Sequence, residues 1–358
     1  MSKATTSQLA SLGVEPTLSP METRVVAHLP TGAGWQYEPK WDGFRCLAFR
    51  AGGEVEIKAK SGKSLARFFP EVLANLRALK RGAFVLDGEL TIARDGVLSF
   101  DALQARLHPA ESRIRRLAAE TPATFVAFDC LLMKRGKPLL DVAFVERRAC
   151  LESFFARANA EARGLALTPY THAYEEAGEW LGGGNSSLDG VVAKRLDLPY
   201  LPGERAMLKI KCLRTADCVV GGFRYETGRR LVGSLLLGLY DEDGLLNHVG
   251  FTSSIPALEK PALTKRLEAL IAPPGFSGGQ PGAPSRWSTE RSSAWEPLRP
   301  RLVAEVRYDH VSGGRFRHGT KFLRWRRDKS PRQCTLEQLL QPLPARAAGR
   351  TRPVAFLP

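Results

Sequence analysis

The chain has 358 residues, 44% of them hydrophobic, with 52 Lys and Arg against 37 Asp and Glu and a formal net charge of +15. That length and apolar content exclude a disordered chain and allow two domains with cores of their own. The positive excess calls for a polyanionic partner, nucleic acid or an acidic membrane surface, without choosing between them. No run approaches the length of a membrane span.

The opening stretch "MSKATTSQLASLGVEPTLSP" has no apolar core of signal-peptide length, so residues 1–19 are expected as a flexible lead-in. In "YEPKWDGFRCLAF" (Tyr37–Phe49), Phe44, Cys46 and Ala48 alternate with Arg45, Leu47 and Phe49 as in a strand. Lys40, Asp42 and Arg45 crowd its entrance, either as ordinary turn charges or because Lys40 is held there to react. "EVEIKAK" (Glu54–Lys60) alternates as a strand. "FFPEVLANLRAL" (Phe68–Leu79) puts Val72, Leu73, Leu76 and Leu79 on one helical face, with Pro70 near its start. "AFVLDGELTIA" (Ala83–Ala93) predicts a strand interrupted by Asp87-Gly88-Glu89, and "ATFVAFDCLLM" (Ala123–Met133) a buried one. A helix is expected near Asp141–Ala160. Two more strands follow, Leu188–Arg195 and Ala206–Cys212, separated by the turn-rich "DLPYLPGER".

Beyond about Arg214 the strands come closer together: "DCVVGGFRY", "GSLLLGLY" and "LLNHVGFTS", then a helix near Ala257–Ile271. Ala272–Arg286 is a Gly/Pro/Ser-rich stretch expected as a mobile loop. "RLVAEVRYDHV" and "RFRHGTKFLRWRR" read as closing strands, and five or so short strands with one helix fit a small OB-type barrel. From Arg301 to Pro358 there are 13 Lys and Arg against 4 Asp and Glu, more than half of the net charge. Arg315–Lys329 interleaves cations with Phe316, Phe322 and Trp325, a pattern that suits a phosphate backbone with stackable bases or simply a solvated basic strand. Six scattered cysteines without a CxxC pair indicate reduced, buried thiols of a cytosolic protein.

Charges recur at strand positions where a core would want apolar side chains: Lys40, Arg45, Glu89, Asp189, Lys194, Lys209 and Lys211. Lys209 and Lys211 are two apart and share a strand face. One such strand is an ordinary half-solvated sheet; several, with both signs, point to a shared polar cleft in which lysines grip phosphate and carboxylates hold a metal or a ribose hydroxyl.

The motifs then fall into a known order. "KWDGFR" has the form KxDGxR, and it is followed by "LDGEL" (Leu86–Leu90), "FVAFDCLL" (Phe125–Leu132), "LDGVVAKR", "MLKIK" (Met207–Lys211) and "RRDK" (Arg326–Lys329). These resemble motifs I, III, IIIa, IV, V and VI of the covalent nucleotidyltransferases, and over roughly Pro20–Leu340 the chain is most similar to small bacterial ATP-dependent DNA ligases of the LigC type. The resemblance implies an α+β fold: a nucleotidyltransferase (ATP-grasp-like) adenylation domain with antiparallel sheets and helices over 20–213, an OB-fold domain over 214–343, and a C-terminal tail over 344–358. It implies no extra N-terminal DNA-binding domain and no fused polymerase or nuclease domain.

It also implies roles. Lys40 would attack the α-phosphate of ATP, with Lys209 and Lys211 lowering its pKa and holding that phosphate. The Glu38 backbone would read the adenine amino group, Phe128 would stack on the base, Glu89 would accept from the ribose, and Arg45 would contact the ribose or the nick 5′-phosphate. Asp189 with Glu89 would hold Mg²⁺ or Mn²⁺. Arg326, Asp328 and Lys329 would close over ATP. Ser61, Lys63 and Arg67, in a segment resembling motif Ia, and Arg205, Arg315 and Arg317 would contact DNA; His318 is expected as an exposed barrel histidine. In one departure, Asp189-Gly190 stands where many DNA ligases have Glu-Gly, which shortens the reach to a metal. The implied partner is nicked or broken duplex DNA, with other repair proteins, no membrane, a monomeric state and a cytoplasmic, nucleoid-associated location as further expectations. The competing readings are an RNA ligase or RNA guanylyltransferase using the same lysine, and a non-catalytic nucleic-acid-binding module.

Overall fold

The computed structural model describes residues 8–80, 82–94, 96–134, 137–182, 188–282 and 294–340. The chain divides into two compact units, the first containing Met1–Cys212 and the second spanning Leu213–Leu343. In chain order the first unit contains β1 (Thr23–Val25), β2 (Trp35–Lys40), β3 (Phe44–Ala51), β4 (Glu54–Ala59), α1 (Pro70–Ala78), β5 (Ala83–Thr91), β6 (Ala93–Arg94), β7 (Val97–Leu98), α2 (Phe100–Arg106), α3 (Glu111–Glu120), β8 (Thr124–Leu132), α4 (Phe144–Ala158), β9 (Leu165–Leu167), α5 (Tyr174–Gly182), β10 (Gly190–Arg195) and β11 (Met207–Lys211).

Two sheets organise this unit, one in the order β4-β3-β5-β8-β9 and the other β1-β11-β10-β2. Most pairs are antiparallel, as expected, and two short ones, β8–β9 and β1–β11, are parallel. The physical reason for the first is the long excursion through α4, since parallel neighbours need a crossover connection. Period-two alternation sorts each strand's side chains between two environments. Cys46, Ala48, Leu86, Phe125 and Cys130 pack in one cluster with Val72 and Leu76 of α1 and Leu151 and Phe154 of α4. Leu47, Phe49, Val85 and Leu131, on the opposite face, pack with Tyr200 and Met207 and so meet the second sheet. The far side of that second sheet, with Tyr37, Val191, Ala193, Leu208 and Ile210, is covered by Ala177 and Trp180 of α5.

Three expectations change here. The lead-in is not loose from Gln8 onward: Gln8–Leu12 is a 3-10 turn that buries Leu9 and Leu12. With Val14 they join the same core as Phe49 and Val85, and the Glu54 carboxylate accepts from the Gln8 N–H at 2.7 Å. An apolar triplet was hidden among polar letters. Asp87-Gly88-Glu89 does not interrupt its strand either, because β5 absorbs it by register shifts against β8. The short helices α2, α3 and α5 were not anticipated; α3 buries only Ile114 and Leu117, too little apolar repetition to announce itself.

The second unit holds β12 (Arg214–Tyr225), β13 (Val232–Tyr240), β14 (Leu246–Thr252), α6 (Lys260–Glu268), β15 (Glu296–Pro297), β16 (Val303–Tyr308), β17 (Val311–Ser312), β18 (Arg315–Phe316) and β19 (Lys321–Trp325). They pair in the order β14-β13-β12-β16-β19, with β15 on β12. A bridge between Thr252 and Thr320 brings β14 round toward the start of β19, as closure of an OB-type barrel requires. "RFRHGTKFLRWRR" is not one strand: β18 forms a hairpin with β17, and β19 joins β16. The segment expected as a mobile loop is anchored, because Phe276 is wholly buried in the barrel core. Its last residues, 283–286, and the tail over 344–358 lie outside the described residues.

Candidate active site

A cavity of about 260 Å³ opens between the two sheets of the first unit, lined by Met21, Glu22, Glu38, Lys40, Trp41, Arg45, Lys60, Glu89, Phe128, Val192, Lys194 and Lys209 among others. Its origin is legible in the strands. The faces that pack the two sheets together run from apolar to charged: Phe49, Leu47, Arg45 on β3; Val85, Asp87, Glu89 on β5; Met207, Lys209, Lys211 on β11. The apolar ends seal the gap between the sheets and the charged ends leave it open.

Lys40 ends β2 directly opposite Gly190 of β10, and Gly190 is in turn opposite Lys211. The Asp189 N–H donates to the Lys40 carbonyl at 3.0 Å, so the backbone fixes the two residues side by side. Their side chains meet as an ion pair, Lys40 Nζ on Asp189 Oδ2. Only glycine permits this approach: a Cβ on Gly190 would lie 1.9 Å from the Ile210 carbonyl oxygen, and φ there is +149°. Gly43, three residues beyond Lys40, is similarly pressed, its would-be Cβ 2.1 Å from the Leu90 carbonyl oxygen. The sequence offered no partner for the Lys40 amine, and in the structure the Asp189 carboxylate lies against it. Lys209 stands on the cavity wall; burial, and then the charges of Lys40 and Lys211, lower its pKa.

Arg45 is less free than the expected phosphate contact suggests. Its Nε and Nη2 each donate to Asp87 at 2.6 Å, its Nη2 also donates to the Met21 carbonyl at 3.1 Å, and its guanidinium lies 4.5 Å from the Phe128 ring centre. Burial by itself would weaken that charge, but the Asp87 carboxylate overrides it and holds the guanidinium above its ordinary value. Tyr200 closes the network: its hydroxyl donates to Asp87 at 2.6 Å and accepts from the Met21 N–H at 2.9 Å. Glu38 is buried, its carboxylate paired with Lys194 at 2.7 Å and accepting from Gln36 at 2.9 Å. Lys194 also donates to the Phe128 carbonyl at 3.0 Å and lies 4.7 Å from its ring centre. Phe128 thus reaches the cavity with two cations already against its ring.

Glu89 lines the cavity, and burial, opposed by Lys40 and Arg45, pushes its pKa up to about 7. Glu89 and Asp189 fit the donor set of a Mg²⁺-type ion, which takes one or two carboxylates and completes its shell with phosphate and water. No cluster of three or more His, Cys, Asp or Glu that could cage a metal by protein alone occurs among the described residues.

The residues expected to contact DNA are not gathered at the cavity. Ser61 and Lys63 line a separate groove of about 740 Å³ on the first unit that shares Arg45, Lys60 and Glu89 with it. Arg67 donates to the Pro109 carbonyl, and Arg205 lies 3.8 Å from Glu22. In the second unit Arg315 contacts His248 Nδ1 at 2.7 Å, while the Arg317 backbone donates to the His310 carbonyl at 3.0 Å. His318 is exposed and 3.2 Å from Asp309. Arg326 and Lys329 converge on Asp217, at 2.8 Å each, and Arg326 is also paired with Asp328 at 2.8 Å. Sequence reasoning missed Glu22, Lys60, Asp87, Tyr200 and Asp217. Tyr200 sits in the turn-rich "DLPYLPGER", where nothing marks a buried hydroxyl, and Asp87 was legible only as a suspected strand break.

Residues 18–211 match the family described as "ATP dependent DNA ligase domain", and residues 228–329 match "ATP dependent DNA ligase C terminal region". The chain is 43% identical over 351 residues to DNA ligase C of Mycobacterium tuberculosis, covering 93% of this chain and 96% of that one. It is 31% identical over 316 residues to the multifunctional non-homologous end joining protein LigD of Mycolicibacterium smegmatis, covering 85% of this chain and 37% of that larger protein. A solved structure from a study of Lig E DNA ligases, 18% identical, superposes with a TM-score of 0.53 over 85% of this chain and 99% of that one, a likeness of fold. With both halves matched in order and near full-length identity of this degree, the chain belongs to the ATP-dependent DNA ligase family.

Proposed function

We propose that Lys40 is the nucleophile of a three-step DNA sealing reaction. The observation that carries this is the pairing of its Nζ with Asp189 at a cation-lined cleft between two sheets. In the first step Lys40 passes its proton to Asp189 and attacks the α-phosphorus of ATP; a P–N bond forms, the bond to the bridging oxygen breaks, and pyrophosphate leaves. In the second, the 5′-phosphate at a break attacks the same phosphorus, the P–N bond breaks, and Lys40 departs as the amine with the proton that Asp189 returns to its nitrogen. In the third, the 3′-hydroxyl attacks the 5′-phosphorus, a phosphodiester forms and AMP leaves. Lys209, with Lys211 beside it, offsets the negative charge in transit, and positioning carries most of the rate. Glu89 accepts from the ribose, and Phe128, Val192 and Trp41 form the apolar seat for adenine. A divalent ion, when bound at Asp189 and Glu89, supplies further neutralisation of the phosphates. Arg326 and Lys329 orient the departing pyrophosphate, for which Asp217 must release them.

Nicked duplex DNA is the substrate, held by Ser61, Lys63, Arg67, Arg205, Arg315 and Arg317, with the +15 net charge behind them. A role in break repair is supported by the likeness to a protein named for non-homologous end joining. We place the protein in the cytoplasm at the nucleoid, as a monomer that other repair proteins recruit; no described helix is long and apolar enough to cross a membrane. The test is incubation with α-labelled ATP or GTP. Wild type takes label from ATP only and Lys40→Ala takes none; label from GTP alone, or equal label on both proteins, overturns the assignment.

A further inference from the structure

Five cations line the cavity, and four of them are already matched to a carboxylate. Lys40 pairs with Asp189, Arg45 with Asp87, Lys194 with Glu38, and Lys60 with Glu22. Lys209 is the lining cation with no ion-pair partner among the described residues. An incoming phosphate therefore meets a nearly neutral wall, and it must compete with a carboxylate for every further cation it recruits.

The four pairs differ in how hard they are to break. Asp87, Glu38 and Asp189 are buried, and separating a buried pair leaves an uncompensated charge in a poor solvent. Lys60 and Glu22 meet at 2.9 Å with side chains 57% and 27% exposed, so water compensates both when they part. Glu22 is nevertheless held in place. Its N–H donates to the Glu204 carbonyl at 2.7 Å, its carbonyl accepts from the Met207 N–H at 3.1 Å, and the neighbouring Met21 is tied to Tyr200 and Arg45. Arg205 reaches the same carboxylate at 3.8 Å. The hydrogen bond from Lys60, and after it the charges of Lys60, Arg205 and Lys209, hold Glu22 below the usual carboxylate range, so it is ionised at neutral pH.

We propose that Glu22 is a built-in competitor for phosphate: its carboxylate occupies Lys60 at the rim of the nucleotide cleft, and a phosphate group of the substrate displaces it. Glu22 acts through Lys60 and is a positioning residue. The displaced carboxylate turns to solvent and no bond changes. The displacing phosphate has two sources, the tail of ATP or the 5′-phosphate of DNA, which carry the same chemistry. This rests on the reading of the cleft as the ATP site.

The test is Glu22→Gln in the full chain, with Lys60→Ala and the double variant beside it. One arm measures KM and kcat for lysyl-AMP formation. The other measures Kd of adenylylated enzyme for nicked duplex bearing a 5′-phosphate or a 5′-hydroxyl. If ATP is the competitor, Glu22→Gln lowers its KM by about three- to five-fold, as the loss of one exposed ion pair predicts, with kcat within about two-fold. If DNA is the competitor, Kd falls by that factor for the 5′-phosphate nick and not for the 5′-hydroxyl one. In either case Lys60→Ala raises the same constant, and adding Glu22→Gln to it brings no gain. Both constants unchanged, or either one weakened, by Glu22→Gln overturns the proposal. A wild type that takes no label from ATP overturns the ligase reading instead, so the two failures are separable.

Discussion

Asp87→Ala is the perturbation whose cost the structure sets most directly. Asp87 is wholly buried and accepts three hydrogen bonds at 2.6 Å, two from Arg45 and one from Tyr200. Removing it leaves a guanidinium charge facing a methyl group. Truncating one partner of a buried ion pair costs about 3–5 kcal/mol. Arg45 keeps the Met21 carbonyl and the Phe128 ring, and its side chain is 21% exposed, which argues for the lower end, about 3 kcal/mol. Against a domain stability of roughly 5–15 kcal/mol this is severe but leaves a folded protein. At about 2–4 °C per kcal/mol for a domain of this size, the transition of the first unit falls by about 6–12 °C. Calorimetry and urea unfolding, fitted with separate transitions for the two units, read it. Replacing both partners, Arg45→Met with Asp87→Leu, returns stability to within about 1 kcal/mol of wild type because no unpaired charge remains. An Asp87→Ala cost below about 1 kcal/mol, or a double variant no more stable than the single one, would refute this account of the network.

Three further outcomes follow from the site. Gly190→Ala forces the β10 backbone away from Ile210 and carries Asp189 off Lys40; lysyl-AMP formation drops at least about 100-fold with a loss of about 3 kcal/mol or more, and near-normal labelling would show that the close approach is dispensable. Asp189→Asn keeps the shape but cannot take the proton, so the single-turnover adenylylation rate falls by about 10²–10⁴-fold, against which a loss under three-fold would count. Glu89 gives a pH signature in chelator-treated protein. Its folded pKa of about 7 lies above its unfolded value near 4.5, so the native state binds the extra proton. The contribution is full below about pH 4.5 and is lost as pH rises through about 7, on the order of 3 kcal/mol. Glu89→Gln flattens that slope in urea titrations, and an unchanged slope would mean the carboxyl is ionised in the folded protein.

The sequence by itself determined the chemical inventory and most of the strands. Alternation within "GFRCLAF", "FVLDGEL" and "MLKIK" placed Arg45, Glu89 and Lys209 on charged strand positions, and their motif order pointed to the ligase family. Such patterns are local, because side-chain direction along a strand repeats every second residue. It did not reveal that Gln8–Leu12 packs into the core, since burial there depends on β3 and β5 rather than on neighbouring letters. Nor could it show which charges meet. The pairs Lys40 with Asp189, Arg45 with Asp87 and Tyr200, and Glu22 with Lys60 join residues far apart in the chain. Only the register of β2 on β10, the pairing of β3 with β5 and the facing of the two sheets bring them within a few ångströms, where the Coulomb energy between charges becomes large enough to matter.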